Sequence, residues 1–134
     1  NNIATKIINN TNSNATLGLL GLSFKPNTDD IRDSTSIKLA LLLKNNGYTI
    51  KCYDPEAMEN AKKEFSSFAY CETAIDACNK TDAIIIATEW NEFRALNFET
   101  IGKFVNDKKI FDLRNIYNAL ELEKLGFKYY GTGK

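Results

Sequence analysis

The run Ala83-Ile84-Ile85-Ile86-Ala87 does most to narrow the folds open to this chain. It is continuously apolar, so as a strand it has no face to turn to water. That fits a strand buried on both faces of a parallel sheet rather than the alternating strand of a half-exposed one. Parallel strands cannot be joined by tight hairpins. Each needs a crossover, usually a helix, and the rest of the chain must supply them.

It does so in regular order. Leu17 to Phe24 reads as a first strand, broken at Lys25-Pro26, and Tyr48 to Tyr53 as a second, closed by Asp54-Pro55. Weaker strands are predicted over 67–71, 109–112 and 127–130. Between the first two, Ser34 is a good N-cap, Ile37, Ala40, Leu41, Leu42 and Leu43 give a broad apolar face, and Gly47 stops the helix. Shorter helices are predicted over 56–64, 72–79, 98–105 and 120–125. Near the start, Ile3, Ile7 and Ile8 recur at helical spacing before the polar turn Thr11-Asn12-Ser13-Asn14. The expectation is an α/β fold: a three-layer, Rossmann-like domain with a mostly parallel sheet of five or six strands and helices on both faces. Residues 1–16 read as the tail of a preceding helix and its turn, residues 17–134 as one compact domain.

At 134 residues the chain can bury a core without disulfides or metal. Its charges balance at 17 of each sign, so no positive field recommends nucleic acid or a membrane surface as partner. No apolar run approaches the ~18 residues of a membrane span. Cys52, Cys71 and Cys78 are odd in number and show no CxxC spacing, and the chain has no histidine. A Cys/His metal site and a Cys-His or Ser-His catalytic pair are thereby excluded within it, and no metal is expected. Free thiols in a reducing, cytoplasmic setting are the plain reading.

Ligands of open α/β sheets bind beyond the carboxyl ends of the strands. Three polar loops are expected there: Lys25 to Arg32, Thr88 to Arg94, and Asp112 to Asn115. A strand, a cationic loop and a helix N-terminus together suit an anionic group. Lys25 and Arg32 supply charge, Arg114 adds a planar fork for phosphate or carboxylate, and Trp90 and Phe93 offer rings for stacking. The competing reading is that Asp29, Asp30 and Asp33 pair locally with Lys25 and Arg32, and that Trp90 only plugs the sheet end. A dinucleotide fingerprint is absent, because Gly18-x-x-Gly21 lacks the third glycine and Lys25-Pro26 stands where the helix should begin. Asp54 occupies the place of a ribose-binding acid but reads more readily as a turn former. Gly131-Thr132-Gly133 has no helix behind it.

Gly21-Leu22-Ser23-Phe24-Lys25-Pro26-Asn27-Thr28-Asp29-Asp30-Ile31-Arg32-Asp33-Ser34 resembles the GLxFKxxTDDxRxS signature that opens the C-terminal domain of UDP-glucose/GDP-mannose dehydrogenases. Tyr53-Asp54-Pro55, Thr88-Glu89-Trp90 with Phe93, Phe111-Asp112-Leu113-Arg114-Asn115 and the ending Leu125 to Gly131 resemble its later signatures, in order. The likeness covers residues 17–134 and is nearest the UDP-glucose 6-dehydrogenase branch. It implies an NAD-dependent oxidation of the sugar C6 alcohol of UDP-glucose to the carboxylate, with two NAD+ and through a cysteine thioester. It also implies that the nucleophilic cysteine and the main NAD site lie in other domains of a homodimeric enzyme, so that this chain alone is inactive. By position, Phe24 and Lys25 would contact the nucleotide-sugar, with Lys25 facing developing oxyanion charge. Arg32 would reach the NAD, and Arg114 would hold the UDP end. The family usually has glycine where Leu113 stands, which implies a redirected Arg114 loop or a nearer wall to the ligand. A stand-alone nucleotide-binding module, a UDP-N-acetylmannosamine dehydrogenase domain and a purely structural domain are the alternatives. The first reading requires Lys25, Arg32 and Arg114 to converge on one rim of the fold.

Overall fold

The apolar run forms β4 (Ala83–Ile86), with all four residues buried, in a six-stranded sheet of the computed structural model, which describes residues 2–23 and 25–132. The other strands are β1 (Thr16–Leu20), β2 (Thr49–Tyr53), β3 (Ala69–Tyr70), β5 (Lys109–Asp112) and β6 (Lys128–Gly131). Every pairing is parallel, and the spatial order is β3-β2-β1-β4-β5-β6. The chain starts mid-sheet, winds out one way through β2 and β3, returns to β4 and winds out the other way. Strand order therefore reverses between β1 and β4, where connections leave in opposite directions and open a crevice.

Helices α1 (Asn2–Asn9), α2 (Thr35–Asn45) and α3 (Met58–Glu64) cover one face. Helices α4 (Ala74–Cys78), α5 (Asn91–Arg94), α6 (Phe98–Ile101) and α7 (Ala119–Lys124) cover the other. The alternation of β4 explains its composition. Ile85 joins the core under α1 to α3, while Ile84 and Ile86 join the core under α4 to α7. Each such side chain contributes about 1.5–3 kcal/mol by leaving water, so neither face tolerates a polar residue there. Gly18 lets α4 lie directly on β1, since a Cβ at that position would sit 2.6 Å from the Ala77 carbonyl oxygen. Helix α1 buries Ala4 and Ile7, and Lys6 donates to the Gly131 carbonyl at 3.1 Å.

The expected α/β architecture stands, and the sheet is wholly rather than mostly parallel. Three local expectations change. The first strand ends at Leu20, not Phe24, because Gly21 takes φ +107° and the next two amides turn to a side chain instead of a neighbouring strand. The helix expected over 98–105 stops at Ile101, where the chain turns through Gly102. Asn91 to Arg94, expected as loop, forms the single turn α5 with Phe93 fully buried. No helix among the described residues is long and apolar enough to cross a membrane.

Candidate functional site

The rim beyond the carboxyl ends of β1, β2, β4 and β5 is shaped by two buried carboxylates. Asp54, after β2, is completely buried. Its Oδ2 accepts from the Leu22 amide at 2.7 Å, the Ser23 amide at 3.0 Å and the Ser23 hydroxyl at 3.1 Å. Its Oδ1 accepts from the Glu56 and Ala57 amides at 2.9 and 2.8 Å. One side chain thus fixes both the root of the β1–α2 loop and the entry to α3. The turn-forming reading of Asp54 holds, and none of its capacity is left for a ribose. Gly21 completes this root: its φ of +107° favours glycine, and a Cβ would press on Thr88, 2.6 Å from the threonine Cβ. Ser34 caps α2 through the Ile37 amide and donates to the Leu22 carbonyl at 2.8 Å.

Beyond that root the loop from Lys25 to Asp33 is lightly held. Asn27 and Asp33 adopt the left-handed conformation, at φ 63° and 53°, which Asn and Asp tolerate better than most residues. The Asn60 amide donates to the Asp29 carbonyl at 3.0 Å. Arg32 is 88% exposed and closes onto Asp30 with Nε at 3.0 Å and Nη2 at 2.9 Å. The guanidinium, helped by the Arg32 amide and more weakly by Lys25, lowers the Asp30 carboxyl to about 2. The local-pairing reading is correct for this pair. Arg32 and Asp30 line a hollow of about 490 Å³ with Asn60, Lys63 and Glu64 of the α3 region.

Asp112, which ends β5, is the second buried carboxylate. Its Oδ1 accepts from the Arg114 amide at 3.1 Å, and its Oδ2 from the Tyr117 amide at 3.0 Å and the Tyr129 hydroxyl at 2.8 Å. Asn115, at φ 54°, clasps Thr132 from both sides, donating through Nδ2 and accepting the Thr132 amide at 3.1 Å. Arg114 is therefore presented on a braced turn, with Nε donating to the Ala87 carbonyl at 3.0 Å and the rest of the fork unclaimed by any ion pair among the described residues. Leu113 needs no left-handed backbone. Its amide continues the ladder to Ile86 at 3.0 Å, and its side chain packs on the α1–α3 core. Leu113 and Arg114 line a hollow of about 290 Å³ with Ala87, Leu39 and, from the first turn of α2, Thr35 and Ser36.

Trp90 follows β4 and is 8% exposed, part of the α4–α7 core. It lines a third hollow, of about 510 Å³, with Asn27, Thr28, Asp29 and Glu56. Phe93 is fully buried edge-on to Tyr53, so it supports the rim and cannot stack on a ligand as expected. Phe24 and Gly133, both singled out in the sequence, lie outside the described residues. The β1 and β5 loops that carry the three cations both leave carboxyl ends of the parallel sheet, but Arg32 and Arg114 line different hollows, and of these two only Arg32 is ion-paired among the described residues. Asp112 carries the site's organisation and was missed as such. Its signal is an acid closing an apolar strand just before a turn, the same signal that Asp54-Pro55 gave.

A dinucleotide does not fit this domain's own switch point: the glycine-rich turn is lacking, and the acid at the end of β2 is saturated by protein donors. Nor do the thiols look like nucleophiles. Burial pushes Cys52 and Cys78 up to about 12 and raises the half-buried Cys71 as well.

Residues 18–119 match the UDP-glucose/GDP-mannose dehydrogenase family, UDP binding domain. The chain belongs to this family. It is 42% identical over 119 residues to UDP-glucose 6-dehydrogenase of Rickettsia conorii, covering 87% of this chain and 28% of that protein. To the same-named protein of Rhizobium meliloti it is 43% identical over 118 residues, 88% of this chain and 27% of that one. Among solved structures, a UDP-glucose dehydrogenase from Pyrobaculum islandicum superposes with a TM-score of 0.78 at 30% identity, over 97% of this chain and 28% of its own. The UDP-binding domain described here thus spans about a quarter of the length of these relatives. The family match covers all three rim loops, with Lys25, Arg32, Trp90 and Arg114 inside it.

Proposed function

We propose that this chain is the substrate-binding C-terminal domain of an NAD-dependent UDP-glucose 6-dehydrogenase, which oxidises UDP-glucose to UDP-glucuronate with two NAD+ and water. The hollow shared by Arg114 and the first turn of α2 carries the reading. A planar cation fixed through one nitrogen, beside hydroxyls and a helix N-terminus at the reversal of strand order, is suited to the diphosphate of UDP. The relatives named UDP-glucose 6-dehydrogenase support the choice of nucleotide-sugar.

In this reading the domain binds and orients rather than performs the oxidation. Arg114 holds the UDP end. Phe24, which lies outside the described residues, and Lys25 are assigned to the sugar, where the ammonium of Lys25 stabilises developing negative charge on oxygen. Arg32 exchanges Asp30 for an anionic group of the NAD carried elsewhere in the enzyme. The chain alone is inactive, since Cys52 and Cys78 are buried and burial raises all three thiols, and the whole enzyme is a cytoplasmic homodimer. Calorimetric titration of UDP into the chain tests this. Saturable binding weakened by Arg114→Ala, with a smaller loss for Lys25→Ala, is expected. Binding indifferent to Arg114→Ala overturns the reading.

A further inference from the structure

Helix α1 and residues 120–132 lie outside the span that the family match covers. The structure joins these two segments, and the join ends on the turn that carries Arg114. Thr132 stands one residue past β6. Its hydroxyl donates to the Leu113 carbonyl at 3.3 Å and accepts from Asn115 Nδ2 at 3.0 Å. Its amide donates to Asn115 Oδ1 and its carbonyl accepts from Asn115 Nδ2, both at 3.1 Å. One threonine is thus bonded to the residues on either side of Arg114. Between them, Arg114 has its Nε on the Ala87 carbonyl at 3.0 Å.

The clasp is closely fitted. A Cβ on Gly131 would stand 2.9 Å from Asn115 Oδ1, so a side chain in front of Thr132 would push it open. Lys6 of α1 secures the same segment from the other side. Its Nζ donates to the Gly131 carbonyl at 3.1 Å and lies 6.0 Å from the centre of the Tyr130 ring, which stacks on Phe111 of β5 at 4.5 Å. From α1 through β6 to the β5 turn there is one continuous series of contacts, and Arg114 is at its end. A side chain whose freedom is removed beforehand meets a ligand at a smaller entropic cost.

We propose that Thr132 is a positioning residue for Arg114, backed by Lys6 of α1, and that the two hold the turn so that the guanidinium meets the diphosphate already aimed. The proposal rests on the UDP reading of Arg114. Neither residue touches the ligand in it. Both act through Arg114, which makes UDP affinity sensitive to how α1 is seated.

Calorimetric titration of UDP into the chain and hydrogen exchange of the Arg114 Nε–H by nuclear magnetic resonance test this together. The chain has three arginines, and the signal of Arg114 is the one lost in Arg114→Ala. Thr132→Val keeps the shape and loses the hydroxyl. It should weaken UDP about three- to tenfold, the range of one or two net hydrogen bonds, and speed the Nε–H exchange. Lys6→Met should weaken UDP about twofold, and Thr132→Ser, which keeps the hydroxyl, should bind like the parent. In the Arg114→Ala background, Thr132→Val should cost no further affinity, because a residue acting through Arg114 then has nothing to act on. The same loss in both backgrounds would mark a general structural role and overturn the proposal, as would an Nε–H exchange rate untouched by Thr132→Val. UDP bound by the parent and equally well by Thr132→Val removes this proposal alone. No heat from UDP in the parent removes the Arg114 reading with it.

Discussion

The loops that follow β5 and β1 each carry an arginine to the same rim, and they are held in opposite ways. The β5 loop is braced along its length by Asp112 and Asn115, so Arg114 projects from a fixed turn with its fork largely free. Among the described residues the β1 loop is anchored at its ends by Asp54 and Ser34 and between them by one bond from Asn60 to the Asp29 carbonyl, and it keeps an exposed arginine folded onto nearby Asp30. A fixed cation can meet a ligand without reorganising, whereas one on a loose tip must first leave its partner. The difference suits a domain that holds one end of a substrate firmly and leaves the other loop to complete a site shared with the rest of an enzyme.

The comparison breaks most directly at the two buried carboxylates. Asp54→Ala strands five donors and is expected to cost about 4 kcal/mol, against about 3 kcal/mol for Asp112→Ala, which strands three. Urea unfolding midpoints check this. A loss below about 1 kcal/mol at either site would show that the rim is not organised by that side chain.

The arginines come next. Arg114→Ala should weaken UDP binding about ten- to hundredfold, the worth of a charge-assisted hydrogen bond, while Arg32→Ala should leave it within about twofold. Parallel titrations of both variants decide it, and equal losses would erase the distinction between the loops.

A smaller effect distinguishes the loops by pH. Burial and the bond to Asp112 push the Tyr129 hydroxyl above its ordinary 10.0, and burial does the same to Tyr117. The folded state then keeps protons that the unfolded chain releases. Stability from the β5 loop is whole below pH 10 and falls as pH rises further. Tyr129→Phe should flatten that alkaline decline in a series of thermal melts. The β1 loop behaves the other way, since the Asp30 carboxyl is lowered from 3.8 to about 2 and its contribution goes only as pH falls through that range. Because the Arg32 side of that pair is 88% exposed and screened by solvent, Asp30→Asn is expected to leave the melting midpoint at neutral pH unchanged, the smallest effect of the series.

The sheet was legible because Ile84, Ile85 and Ile86 permit no other placement, and Lys25, Arg32 and Arg114 could be put on one rim once parallel strands were inferred. What stayed hidden was long-range. Nothing local in Leu22-Ser23 announces that their amides bond Asp54, more than thirty positions away, which is why the first strand ends early. Helix α5 carries no capping side chain and exists because Phe93 is buried and Tyr117 donates to its carbonyl, contacts no local window contains. The pairing of Arg32 with Asp30 was visible as one of two readings, since the two residues stand two positions apart and are opposite in charge. Choosing between the readings required the exposure of the loop.

A structure of the chain crystallised with UDP tests the central claim most directly. The account predicts the diphosphate within hydrogen-bond distance of the Arg114 guanidinium and the first turn of α2, with Arg32 still on Asp30. Diphosphate seated instead in the hollow of Arg32 and Lys63, with Arg114 untouched, would contradict it.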